Sequence, residues 1–466
     1  MRVSYAPALI TAMFTAGSLS AGADAATLSL VGNSTTVCQL IGETIWDTGS
    51  PGTPTAAKTL SNFGLGGIDL GFPVDSGSGP LYFLFGDGAP PDHPPNSLPT
   101  EPPDDALGFT SRTTPPDAAT CLDLQLVTSS PKKYAHPAVT PKIQQGWFNV
   151  PTGGVFFDNT FYAFFWTDHC FIPSPLEPNP RTPLRLPTPG ACVETPQNSS
   201  VGRSVLAHAT AGNPLDFHWQ PPPEGLLFTN MPSGFVYVSA TDPPPGLAPP
   251  NPLASAIPVF GVPRYRASIP YLAMAPRTTF DDPKTWSFFA GHEFGHPIWI
   301  TRHEWESKRN DAGEWMPPAG AEIFKAEPDD ERCVGEHSVT WNAPLHSWLL
   351  VYTCVPWVVE ARFGPEPWGP WSKPIILLSA VQDPGLNCTL IQNTSLTGCP
   401  GLANEQTLPS GTPWPGAFYG PFVMTRYTQD VTPPGPGQPK RATIYWLLST
   451  WNPYVVVVMQ STLELQ

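Results

Sequence analysis

The chain is a succession of short apolar runs set in proline-rich polar stretches. Runs rich in Val, Ile, Phe, Tyr and Trp occupy Leu81 to Phe85, Gly154 to Trp166, Gly234 to Ala240, Ile269 to Ala273, Trp348 to Tyr352, Ile375 to Leu378, Thr443 to Leu448 and Tyr454 to Met459. Turn-forming clusters bound them, so they predict strands. No long window carries a helical period free of Pro or Gly. The stretches Ala89 to Pro116, Pro173 to Pro196, Pro221 to Pro252 and Thr432 to Pro439 predict long surface loops rather than interdomain linkers. Strands grouped in clusters roughly 50 to 90 residues apart, with long loops on the outside, predict an all-β chain built by radial repetition, as in a β-propeller of four-stranded blades, with a β-sandwich array as the competing architecture.

Composition sharpens this picture. The 63 prolines break helices and withhold backbone donors, while 16 Trp, 25 Phe and 12 Tyr supply core mass that a disordered proline-rich polymer lacks. Residues 26–466 are expected to form a single propeller domain. The net charge of −15, with 23 basic residues, leaves no electrostatic footprint for nucleic acid or an anionic membrane surface. Nothing in the sequence bears on the oligomeric state.

The start of the chain runs from Met1-Arg2 through an apolar stretch between Tyr5 and Ala16 to Ala23-Asp24-Ala25. That is the order of a signal peptide, expected to span residues 1–25 with cleavage after Ala25, and it predicts a secreted or periplasmic protein. No later stretch reaches the ~20 apolar residues a membrane helix needs, so no membrane insertion is expected. Eight cysteines (Cys38, Cys121, Cys170, Cys192, Cys333, Cys354, Cys388 and Cys399) form an even set without a C-x-x-C, which in an exported chain reads as a disulfide framework. Proximity along the chain suggests Cys170 with Cys192, Cys333 with Cys354 and Cys388 with Cys399, leaving Cys38 with Cys121.

Two aspartates stand out. Gly67 to Pro73 and Leu81 to Asp87 flank the turn-rich Asp75-Ser76-Gly77-Ser78-Gly79 and read as a hairpin. With the turn centred on Ser78, Asp69 and Asp87 face each other, at a Cα separation of ~4.5 to 5.5 Å for opposed residues. Like charges so placed destabilise a sheet. A retaining glycosidase would exploit the pair, one carboxyl as nucleophile and one as acid/base. A structural Ca²⁺ would neutralise it. Ordinary turn and strand-end aspartates bonded to local backbone would also account for it.

His292-Glu293-Phe294-Gly295-His296 matches the zinc-protease string H-E-x-x-H, which places His292 and His296 one helical turn apart as metal ligands. Gly291, Gly295 and Pro297 are poor helix residues, and the third metzincin ligand would fall on Arg302, so a loop with two exposed histidines is the expectation. Glu304 and Glu306 are the downstream carboxylates for the alternative ligand set. Further binding candidates are Glu336 in Gly335-Glu336-His337-Ser338-Val339, Arg264 and Arg266 as grips for sugar hydroxyls or salt-bridge partners, and Asp168 at the end of the run Phe161 to Thr167.

These pieces in order resemble an exported β-propeller domain family long catalogued as of unknown function. The likeness begins with Asp69-Leu70-Gly71, Leu81 to Asp87 and Val150-Pro151-Thr152-Gly153-Gly154. It continues with Phe260-Gly261, Tyr265-Arg266, Tyr271-Leu272-Ala273, Trp286 to Gly291 and Gly335 to Val339. Pro367 to Ser372, Tyr419-Gly420-Pro421-Phe422 and Ser449 to Tyr454 complete it. Members of that family have been classified as family 183 glycoside hydrolases, endo-D-arabinanases that cut mycobacterial cell-wall arabinan. The resemblance implies a five-bladed propeller with its site at the central channel, Asp69 and Asp87 as the paired carboxylates and a polysaccharide substrate; chemistry at a carboxylate pair outside the cell needs only water and a glycan, so no cofactor is expected beyond a structural Ca²⁺. It places the HEFGH string in a loop after the tryptophan-bearing strand. This chain departs from the family at Gly88, where threonine is usual. The function classes in play are a retaining glycosidase, a non-catalytic carbohydrate-binding propeller and, last, a zinc protease.

Overall fold

The computed structural model describes residues 26–46, 53–89, 104–130, 133–134, 149–167, 203–209, 226–248, 251–263, 266, 268–310, 315–325, 333–355, 357–392, 399 and 415–466. Every apolar run named above forms strand, at least in part. The run Gly154 to Trp166 contains a turn, because Asp158 and Asn159 both take positive φ (48° and 57°) and fold it into a hairpin of Asn149–Phe157 and Thr160–Thr167. Helix is confined, among the described residues, to the short segments Thr59–Phe63 and Arg302–Ser307 and to single 3₁₀ turns.

Apart from a small two-stranded sheet of Thr128–Ser130 with Lys133–Tyr134, the described strands make five antiparallel sheets in chain order, and these are the blades of a five-bladed β-propeller. Their innermost strands are Gly67–Asp75, Asn149–Phe157, Tyr237–Ala240, His337–Asn342 and Ala417–Val423. Each touches the next and the fifth touches the first, which closes the ring and excludes the sandwich array. The first, second and fourth blades have four strands and the third has five. In the fifth, the long strands Lys440–Trp451 and Val455–Leu465 are completed from the other end of the chain, by Leu28–Leu30 and Thr35–Gln39 pairing with Val455–Leu465.

Blade faces are apolar on both sides, and the core divides accordingly into five clusters, one between each pair of neighbouring blades. Phe72, Tyr82 and Phe161 pack between the first and second blades; Phe164, Phe235 and Trp286 between the second and third. Trp348 and Phe260 fill the next wedge, Trp446 and Leu349 the one after, and Phe83, Phe85 and Leu447 the last. Burying aromatic rings in wedges holds each blade through its neighbours rather than through a single central core.

Disulfides join Cys38 to Cys121, Cys333 to Cys354 and Cys388 to Cys399, as chain proximity suggested. Cys170 and Cys192 lie outside the described residues. The first bond spans 83 residues and ties the closing strand of the fifth blade to the first blade. No described helix is long and apolar enough to cross a membrane.

Candidate active site

Asp69 and Asp87 do not face each other. The hairpin keeps the expected register at Gly67 with Ala89 and from Phe72 to Asp75, but in between Asp69 pairs with Gly86 and Leu70 with Phe85. Two compensating bulges cause this one-place slip. Leu70 (φ 62°) and Gly71 (φ 87°) take left-handed backbone on the inner strand, and Asp87 (φ 56°) takes it on the second strand. A bulge re-aims a side chain at the cost of a ladder bond. Here it removes the head-on opposition of two carboxylates that the simple register predicts.

Asp69 is buried, only 6% exposed, on the innermost strand of the first blade. Its Oδ2 accepts a hydrogen bond of 2.7 Å from the Tyr419 hydroxyl on the innermost strand of the fifth blade. Its Oδ1 is buried with no hydrogen-bond partner among the described residues. Burial pushes the Asp69 carboxyl from 3.8 up to about 7; the Glu336 charge adds to this, while Tyr419, Tyr454 and Arg266 oppose it. The carboxyl is therefore poised to hold or release a proton near neutrality.

Tyr454, in the turn between the last two strands, donates its hydroxyl to the Asp87 main-chain carbonyl at 2.8 Å. Burial and the charges of Asp69 and Asp87 both hold the Tyr454 hydroxyl in its protonated form, so this group senses both carboxylates. Its approach requires Gly67, where a Cβ would sit 2.7 Å from the Tyr454 carbonyl oxygen.

Arg266 and Glu336 come together from the third and fourth blades. The guanidinium meets the Glu336 carboxylate at 2.9 Å (Nη2 to Oε1) and 3.4 Å (Nε to Oε2), and lies 5.3 Å from the centre of the Tyr419 ring. Glu336 is 1% exposed, so its charge is tolerated because the fork of Arg266 meets both oxygens. The crossing depends on Gly335, whose Cβ would lie 2.6 Å from Arg266 Cγ. Arg266 itself holds φ 53°. Leu70, Asp87, Arg266 and Asn452 (φ 53°, two residues before Tyr454) are all non-glycine residues in left-handed backbone, and strain gathered in this way is typical of functional sites.

His337, next to Glu336, is fully buried, and burial lowers its pKa to about 4. Its Nδ1 lies 3.0 Å from the Gly335 carbonyl, which assigns the proton of the neutral ring to Nδ1. Sequence reasoning singled out Asp69, Asp87, Arg266 and Glu336 but passed over Tyr419, Tyr454 and His337, although all three lie inside segments that carried the family resemblance. A tyrosine hydroxyl becomes a site group only through the carboxylate beside it. Asp168 and Arg264 lie outside the described residues.

The zinc reading meets a geometric obstacle. Ser287–Glu293 and His296–Thr301 are paired strands, with Phe294 (φ 48°) and Gly295 (φ 81°) forming a two-residue turn between them. Glu293 pairs with His296 and His292 with Pro297, so strand alternation puts the two histidines on opposite faces of the ribbon. The helix that would bring them to one metal does not form. Among the described residues, one group of three ligand-type side chains lies close enough for a cation, Cys333, Cys354 and Glu360, and its cysteines are joined in a disulfide.

Comparison with known proteins agrees with the resemblance to a propeller family of unknown function. Residues 254–460 match the family described as "Domain of unknown function (DUF4185)". That span holds Arg266, Glu336, His337, Tyr419 and Tyr454; Asp69 and Asp87 precede it. No curated protein matches the sequence. Among solved structures, the chain is similar to a Bacteroides ovatus protein described provisionally as a hydrolase, at 10% identity and TM-score 0.46, covering 86% of this chain and 87% of that one. It is also similar to a GH43_1 enzyme from Xanthomonas citri (10% identity, TM-score 0.37, 84% and 87% covered) and to a Trypanosoma rangeli sialidase (9% identity, TM-score 0.35, 92% and 58% covered).

Proposed function

We propose that this chain is a secreted or periplasmic glycoside hydrolase that cuts an extracellular or cell-wall polysaccharide by a retaining, two-carboxylate mechanism, with Asp69 as acid/base and Asp87 as nucleophile. The observation that carries the reading is Asp69: a buried carboxyl, raised to about 7, with one oxygen held by Tyr419 and the other unpartnered. A carboxyl that keeps its proton at neutral pH is what a general acid requires. Glu336 is less suited to either role, since Arg266 neutralises it.

In the proposed reaction Asp69 gives its proton to the glycosidic oxygen as that bond breaks, and the Asp87 carboxylate attacks the anomeric carbon to form a glycosyl ester. Asp69, now ionised, takes a proton from water, whose oxygen then displaces Asp87. The bulged hairpin supplies both groups from one rigid element, and Tyr454 bridges toward both. The family resemblance favours a furanoside polymer, D-arabinan, cut internally.

The test is incubation of the pure protein with mycobacterial arabinogalactan and analysis of released oligosaccharides, alongside Asp69→Asn and Asp87→Asn. Release by the parent protein and its loss in both variants is expected. No release from any furanoside polymer overturns the proposal, and loss of activity on chelation would redirect it to a metal mechanism.

A further inference from the structure

The HEFGH segment, which the chemistry above does not use, has a property that a plain turn does not need. Phe294 is 94% exposed, the most exposed of the large hydrophobic side chains among the described residues. It also occupies left-handed backbone, where asparagine, aspartate or glycine is the ordinary choice and a bulky side chain is disfavoured. Solvent exposure and backbone strain both oppose phenylalanine here. The ribbon that presents it is firmly seated: Gly291 packs against the Gly320 backbone, and Phe289 meets Trp299 edge-on at 5.8 Å between ring centres.

Strand direction fixes where the tip lies. The innermost strand of the third blade, Tyr237–Ala240, starts at the site end, and the next strand, Ala256–Val262, returns there to deliver Arg266. Two reversals later Ser287–Glu293 runs back to the same end. Phe294 therefore projects from the rim of the face that carries Asp69, Tyr419, Arg266 and Glu336. Three strand steps separate its ribbon from the innermost strand, roughly 15 Å at the usual spacing. A chain of several sugars crosses that distance.

We propose that Phe294 is a remote aromatic subsite that stacks on a sugar ring of a polysaccharide chain engaged at the Asp69 site, with Glu293 and His296 on one face of the ribbon and His292 on the other supplying hydroxyl contacts. This rests on the glycoside hydrolase reading. An exposed ring beside polar side chains suits a sugar, which offers an apolar face and a fringe of hydroxyls. An anionic bilayer is the poorer occupant for a chain of net charge −15 with Glu293 at the tip.

The test compares the parent protein with Phe294→Ala and with Phe294→Asn, which suits the turn and keeps the hairpin formed. Retardation in native gels containing arabinogalactan, or one of a panel of furanoside and pyranoside polymers, is expected to weaken roughly tenfold in both variants, the scale of one stacking contact. Hydrolysis of that polymer is expected to lose a similar factor in kcat/KM, with hydrolysis of a short oligosaccharide unchanged. Retardation of a parent protein that cleaves nothing, weakened in both Phe294 variants, would support the subsite while the hydrolase reading fails. Equal retardation and equal polymer cleavage in parent and variants overturn the subsite and leave the hydrolase reading intact. Absence of retardation by every polymer overturns it as well.

Discussion

The Tyr419 hydroxyl donates to Asp69 Oδ2 at 2.7 Å across the seam between the last blade and the first, so ring closure itself assembles the site. This bond favours the ionised carboxylate and works against the burial that raises its pKa. Tyr419→Phe should raise that pKa further and move the alkaline limb of the kcat/KM profile to higher pH by about one unit, the scale of a hydrogen bond to a charged group. A pH-rate series on the variant checks this. A limb that stays in place would mean that Asp69 is not the titrating acid.

Asp69 also makes stability depend on pH in a calculable direction. Between 3.8 and about 7 the unfolded chain has lost this proton while the folded chain keeps it. The folded state binds more protons there, so this group's contribution to stability falls as pH rises through the window, and the loss is complete above about 7. Asp69→Asn mimics the protonated carboxyl. It should melt with the parent protein near pH 4 and above it at pH 8, while its activity is lost at both. Gaining stability by losing a strained site group is the expected trade.

The Arg266–Glu336 pair makes opposite predictions for its two halves. Arg266→Met leaves a buried carboxylate without its guanidinium, which should cost about 3 kcal/mol in denaturant unfolding and push the Asp69 limb to higher pH. Glu336→Gln removes a charge that raises the Asp69 pKa and frees Arg266 to act on it, so the limb should move to lower pH. Gly335→Ala would press a Cβ onto Arg266 Cγ and should reproduce the Arg266 phenotype in weaker form. Matching shifts in the same direction from Arg266→Met and Glu336→Gln would contradict the electrostatic coupling.

How far the sequence disclosed this site depends on the kind of interaction. The apolar runs disclosed strands and radial repetition, because those depend on local composition, whereas two Pro-rich stretches expected to be loops, Ala89 to Pro116 and Pro221 to Pro252, contain the blade strands Asp104–Thr110, Leu226–Asn230 and Tyr237–Ala240. The turn centred on Ser78 correctly implied the register of most of the hairpin, yet it missed the slip at Asp69, which depends on the left-handed backbone of Leu70 and Asp87. Arg266 and Glu336 were each visible as candidates, but 70 positions apart their pairing is a property of the ring. Tyr419 and Tyr454 were hidden for the same reason. The HEFGH string is identical on a helix and on a hairpin; Gly295 and Pro297 decided between them.

Closure of the ring is where the fold should be most sensitive to reduction. Thr35–Gln39 reaches the fifth blade from the far end of the sequence, and Cys38 in that strand is bonded to Cys121, 83 positions away. A loop of that length restricts the unfolded chain by about 4 to 5 kcal/mol in the chain-entropy model. The bond joining Cys388 to Cys399 closes 11 positions and should contribute less. Replacing Cys38 and Cys121 together by Ser should therefore lower the denaturant midpoint more than replacing Cys388 and Cys399. Hydrogen exchange should show Val455–Leu465, the strand that receives the N-terminal closure, losing protection first, with Asp69 and Tyr419 separating as the seam opens. Equal effects from the two double replacements would show that the seam is held by wedge packing of Phe83, Phe85 and Leu447 rather than by the covalent tie.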